Sequence, residues 1–215
     1  MVEILTTLAS ELPGDWTVRG RGMKSMLLGE PLGWAVRWIG ASKASSVRMH
    51  SGVAPAVGAN VSFAMGVFGL DMSELTDGPR SLALGTPDDL GQARVFAGRA
   101  ISRMNELTAA RYAERAERAL QVLVDGGNPT AAYLAAAPGW RVVTGDADPV
   151  EAIETIRRLR PTPSPAETPS RTSTFYDTLV TRWTSGGRQS ALAVLTECRD
   201  ASLVEQGYGP DSIVA

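Results

Sequence analysis

The 215-residue chain carries 21 Lys and Arg against 23 Asp and Glu and is 44% hydrophobic and 20% charged, the balance of an ordinary globular protein rather than a disordered or collagen-like one. A formal net charge of -2 gives no global attraction for nucleic acid or an anionic membrane. One histidine, His50, and one cysteine, Cys198, are too few for a Cys/His zinc site and leave no intrachain disulfide.

The opening MVEILTTLASELPGDW places Glu3 early, has no basic flank and holds only a short apolar run, so no secretory signal is expected. No later stretch approaches the roughly 18 apolar residues of a membrane span. The lone cysteine agrees with a reducing compartment, and a cytoplasmic protein without a membrane partner is expected. Of the 21 basic residues 19 are arginine, a bias that points to a GC-rich bacterial or phage genome.

In chain order, Ile4, Leu5, Leu8 and Leu12 recur at helical spacing, predicting a helix over 2–11 that Pro13-Gly14 ends. Strand-like alternation follows at Trp16 and Val18, at Met26 and Leu28, at Trp34, Val36 and Trp38, at Val47, Met49, Ser51 and Val53, and at Val61, Phe63, Met65 and Val67. Glycine-bearing turns separate these runs, so an antiparallel meander of four or five strands is expected, with a short sixth strand near 80–84. Alternation also predicts that Trp34, Val36 and Trp38 share the buried face while Arg37 faces solvent.

Helix signals take over from residue 86. Thr86-Pro87-Asp88-Asp89 predicts a start with Thr86 as the cap and a helix running to about 104. Ala109, Tyr112, Ala113, Ala116, Ala119, Leu120 and Leu123 form one apolar face opposite Arg111, Glu114, Arg115, Arg118 and Gln121, and Gly126-Gly127 ends that element. A short alanine-rich helix to about 137, a short strand over 140–144, and a helix opened by the capping box of Asp148 and Glu151 and running to about 160 complete this zone.

Residues 161–173 hold four prolines and six Ser or Thr in thirteen positions, the composition of an extended linker. Beyond it, Phe175, Leu179, Trp183, Ala191, Val194, Leu195, Leu203 and Val204 predict a helical hairpin broken at Ser185-Gly186-Gly187. The organisation expected is therefore an α+β body over 1–160, with its sheet over about 16–84 and helices over about 87–160, a linker over 161–173 and a C-terminal helical appendage over 174–215.

Chemistry-bearing patterns are sparse. The run Gly20-Arg21-Gly22-Met23-Lys24-Ser25 lacks the spacing of a phosphate loop and reads as a hairpin turn, while Asp148 is explained as a helix cap rather than as part of a cation site with Asp146. His50 is the one side chain that ordinarily titrates near neutrality, and a Ser-His or Cys-His pair would require it to meet Ser51, Ser46 or the distant Cys198. Neither a catalytic residue nor a metal ligand is assigned, and no cofactor is expected. From Trp16 to Leu70, Arg19, Arg21, Lys24, Arg37, Lys43 and Arg48 stand against Glu30 alone, so the sheet carries positive charge.

The function expected from these features is non-enzymatic: contact with a protein partner or self-assembly, as an adaptor, accessory or assembly factor of a cell, phage or mobile element. Phe175, Leu179 and Trp183, at i, i+4 and i+8, would be its contact stripe. The alternative is a nucleic-acid-binding module using the six basic residues of the sheet, and a third reading is an enzyme with an unrecognised site around His50.

Overall fold

The structure, a computed structural model of the chain, describes residues 1–43, 46–61, 81–106, 108–160 and 170–213. Five strands, β1 (Asp15–Arg19), β2 (Met26–Glu30), β3 (Ala35–Lys43), β4 (Val47–Pro55) and β5 (Ser81–Ala83), form one antiparallel sheet in sequential order, the meander that the alternating runs predict. The strand expected over 61–67 falls almost wholly outside the described residues. Among the described residues six helices complete the α+β fold: α1 (Val2–Glu11), α2 (Asp89–Asn105), α3 (Ala109–Val124), α4 (Ala131–Thr144), α5 (Pro149–Leu159) and α6 (Arg171–Glu205).

The chain divides into two compact units, one of Met1–Ala54, Ser62–Leu107 and Ala201–Ala215, the other of Pro55–Val61 and Thr108–Asp200. In the first, α1 buries Leu5 and Leu8 and packs on β1, β2 and α2. A bidentate pair from Arg94 to Glu11, at 2.7 and 2.6 Å, fastens α2 to the end of α1. Register places Val18, Leu27 and Ile39 on one face of the sheet and Met26, Leu28 and Trp38 on the other, and all six are buried. A strand buried on both faces reads as a continuous apolar run, and Met26, Leu27 and Leu28 form one.

That two-sided burial corrects the place given to Arg37. Val36 and Trp38 are buried as expected, whereas Trp34 precedes β3 and is half-buried. Arg37 does lie on the opposite face, yet it is half-buried: its guanidinium sits 5.3 Å from the centre of the Trp16 ring and donates to Asn105 Oδ1 of α2 at 3.1 Å. Gly29 makes this reach possible. It pairs with Trp16 on the strand between them, and a Cβ there would lie 3.0 Å from Arg37 Nε.

Two further expectations change at helix ends. The first residue of α2 is Asp89, and its carboxylate, rather than the Thr86 hydroxyl, does the bonding, accepting from Gly85 N, Thr86 N and Thr86 Oγ1 at 2.8–2.9 Å. Those donors hold its pKa below the usual aspartate value. Residues 140–144, expected as a strand, are the last turns of α4, which runs through Pro138. Tertiary packing overrides the β-branched composition here, because Trp140 stacks on Tyr112 of α3 at 5.5 Å and Gly139 abuts the backbone of Val57.

In the second unit α3, α4 and α5 close around Leu120, Leu123, Leu134 and Ala152. Arg141 of α4 joins Glu117 of α3 and Glu151 of α5 at 2.7 and 2.9 Å, so Glu151 serves this network while Asp148 alone caps α5 through Val150 N. The C-terminal piece proves to be two helical segments meeting at Gly187, whose φ of 63° and ψ of -160° require a residue without Cβ. Its break is where the sequence places it. Residues up to Asp200 group with α3–α5 in the second unit, and those from Ala201 with the first. Of the expected linker, 161–169 lies outside the described residues and Arg171 already begins α6.

Candidate functional site

The described residues include a cleft of about 440 Å³ in the first unit, between the β1–β2 connection and the segment that follows α6. Its construction begins at Gly20, which leaves β1 with φ 89°, and a Cβ there would lie 2.7 Å from Lys24 O and 3.0 Å from the Tyr208 ring. A 3-10 turn over Gly22–Lys24 follows, closed by Lys24 N donating to Arg21 O at 3.1 Å, and it leaves Arg21, Met23 and Lys24 exposed. On the opposite wall α6 ends with Gly207 N donating to Val204 O and Tyr208 N to Leu203 O, at 3.0 and 2.7 Å, the paired bonds of a Schellman closure. A second 3-10 turn over Pro210–Ser212 brings Asp211 to the cleft.

Three contacts clasp the walls together. Gly20 N donates to Ser212 O at 3.1 Å, Arg19 and Ile213 form an antiparallel bridge, and Arg19 Nη1 donates to Tyr208 O at 3.1 Å. The Arg19 guanidinium also pairs with Glu30 at 2.5 Å, with its side chain 8% exposed and that of Glu30 24%. Arg19 thus ties the two walls together without lining the cleft, whose surface belongs to other residues. Arg21 and Lys24 lie on one wall and Glu205 and Asp211 on the other, which also carries Val204 and the half-buried Tyr208. Of the large apolar side chains that the described residues leave exposed, Val204, at 60%, lines the cleft, and Met23, at 38%, and Ile213, at 54%, are chain neighbours of its lining residues Lys24 and Ser212.

Compared with known proteins, the chain matches no family model, no curated protein and no solved structure. Function therefore rests on the chemistry of the side chains.

The six basic residues singled out from the sequence do not make one surface. Arg19 is consumed by its ion pair, Arg37 lies against Trp16, and Arg48 Nε donates to Ser81 Oγ at 2.9 Å. Arg21 and Lys24 alone share the cleft, and the side chain of Lys43 lies outside the described residues. The stripe Phe175, Leu179 and Trp183 is divided as well. Phe175 and Leu179 are buried in the second unit, beside Tyr176, whose hydroxyl donates to Ala135 O at 3.2 Å, and Trp183 alone keeps partial exposure. Burial pushes the Tyr176 phenol up to about 12.

His50 meets neither Ser46 nor Ser51. Its Nε2 lies 3.0 Å from Ser42 Oγ across the β3–β4 pair, a partner eight residues away that only the strand register reveals. Burial, and then the charge of Arg48, hold the imidazole below its usual pKa, so it is neutral at pH 7. Burial and the neighbouring Glu197 raise the half-buried Cys198 thiol, the opposite of what a thiolate nucleophile needs. Among the described residues, no group of three His, Cys, Asp or Glu is placed to hold a metal ion, and no helix is long and apolar enough to cross a membrane.

The sequence reading missed the C-terminal wall of this cleft. The signals were present in Gly207, Gly209 and Pro210, the punctuation of a turn, but nothing local ties them to a glycine turn almost two hundred positions earlier.

Proposed function

We propose that the protein is a non-enzymatic, cytoplasmic binding protein that engages a polypeptide partner at the cleft between Gly20–Lys24 and Val204–Ser212. The observation that carries this reading is a cleft lined by the exposed charges of Arg21, Lys24, Glu205 and Asp211 together with the apolar surface of Val204 and Tyr208. Apolar surface beside opposed charges is what a protein-binding patch offers, where desolvated apolar contacts supply affinity and the charges set register. The contact surface is thus moved from the stripe on α6, whose Phe175 and Leu179 are occupied by their own unit, to the far end of the same helix.

A photo-reactive residue at position 204, compared with one at the exposed Glu154 of α5, tests this in an extract of the source cells. The expected result is a discrete adduct from position 204, suppressed when Arg21 and Lys24 are both changed to Glu. Equal labelling from both positions, or none from position 204, removes the reading.

A further inference from the structure

We infer that the segment captured by this cleft is dipolar: an apolar side chain flanked by a carboxylate on one side and a basic group on the other. The inference rests on the reading of the cleft as a polypeptide site and adds the chemistry of what enters. Its basis is the segregation of charge, with Arg21 and Lys24 both on the β1–β2 turn and Glu205 and Asp211 both on the C-terminal segment. The two walls cancel in net charge but not in dipole. A polyanion such as nucleic acid gains from the first wall and is repelled by the second, and a polycation meets the reverse. A ligand whose own charges are separated meets each wall with the matching sign.

The apolar part of the lining fits the middle of such a ligand. Val204 and the Tyr208 ring supply apolar surface, and Gly207, where a Cβ would meet nothing within 4 Å, leaves open space beside them. A volume of about 440 Å³ is within the range of sites that take a drug-sized molecule or a short peptide segment. The walls are also held before any ligand arrives, because Arg19 fixes β1, Glu30 and Tyr208 O in one cluster. Preorganisation of this kind lowers the ordering cost of binding.

The test uses the full chain and four blocked tripeptides, acetyl-Asp-Leu-Lys-amide, acetyl-Asp-Leu-Asp-amide, acetyl-Lys-Leu-Lys-amide and acetyl-Asn-Leu-Gln-amide, titrated by NMR at low salt. The dipolar peptide should bind roughly two- to fivefold more tightly than either single-sign peptide, the range that an exposed ion pair supports, and salt should erase the margin. Changing both Arg21 and Lys24 to Glu makes the lining wholly acidic, so this variant should come to prefer the Lys-Leu-Lys peptide, a switch that a merely structural role would not produce. If the neutral peptide binds as well as the dipolar one, the dipolar proposal fails while the polypeptide reading stands. Tighter binding of the Asp-Leu-Asp peptide, or binding of no peptide at all, overturns the proposal, and the crosslinking at position 204 then decides separately whether a partner uses this surface.

Discussion

Gly139→Ala is the substitution on which helix propensity and packing give opposite answers. In the interior of a helix such as α4, alanine normally gains about 1 kcal/mol over glycine. Here the added Cβ would lie 1.8 Å from Val57 O, 2.8 Å from its carbonyl carbon and 2.9 Å from its Cβ. The nearest obstacle is backbone, which cannot turn aside as a side chain can, so α4 and the Pro55–Val61 segment must separate by more than about 1 Å. Separation strains the stack of Trp140 on Tyr112 one residue further along. Overpacking at the upper end of its usual range, less the propensity gain, leaves a net loss of about 2 kcal/mol. For a chain of this size that lowers Tm by roughly 4–8 °C. Thermal and denaturant unfolding measure it directly, and a Gly139→Ala protein melting at or above the wild type would refute the close crossing.

Three other outcomes follow from the same contacts. Leu179→Ala, at a fully buried position, should cost about 2–5 kcal/mol in unfolding experiments, and unchanged stability would return this residue to the role of a free contact stripe. Arg19→Ala breaks a pair whose arginine is buried, so a loss on the order of 3 kcal/mol is expected, together with faster hydrogen exchange at Gly20 N as the clasp to Ser212 loosens; retained protection there would show that Arg19 does not hold the cleft. As the chain's one histidine, His50 gives one set of imidazole ring-proton resonances, which should titrate with a midpoint below 6.5. The unfolded chain then takes up the proton more readily than the folded one, so stability declines as pH falls through 6.5 and levels off below the folded pKa; a midpoint at or above 6.5 contradicts the burial of this ring.

Much of the fold was legible because local physics agrees with it. The alternation of β1 to β4, the apolar face of α3, the Asp148 cap and the break near Gly187 are set by side chains within a few positions of one another. What was misread depends on distant partners. Trp140, Val142 and Val143 have the composition of a strand, and they are helical because Tyr112 and Val57 lie beside that stretch. Arg37 alternates as a solvated residue should, yet Gly29 leaves a gap through which it reaches Trp16. The Ser42–His50 contact requires knowing which residues face each other across β3 and β4. The candidate site was the least legible feature, since Arg21 and Lys24 gain their meaning only when Tyr208 and Asp211 are brought opposite them by the end of α6. Helix periodicity also could not distinguish an apolar stripe that serves its own unit from one left for a partner, and the burial of Phe175 and Leu179 makes that distinction.

The most direct test of the account is the native mass of the protein in dilute solution and after incubation with an extract of its source cells, for the wild type and for a variant carrying Met23→Glu and Val204→Glu. Both positions are exposed, so the variant should melt as the wild type does. The account predicts a higher-mass species with the wild type that the variant fails to form. A species of the same mass with both proteins, or a wild-type protein that gains no mass at all, would contradict the claim that this cleft is where the protein works.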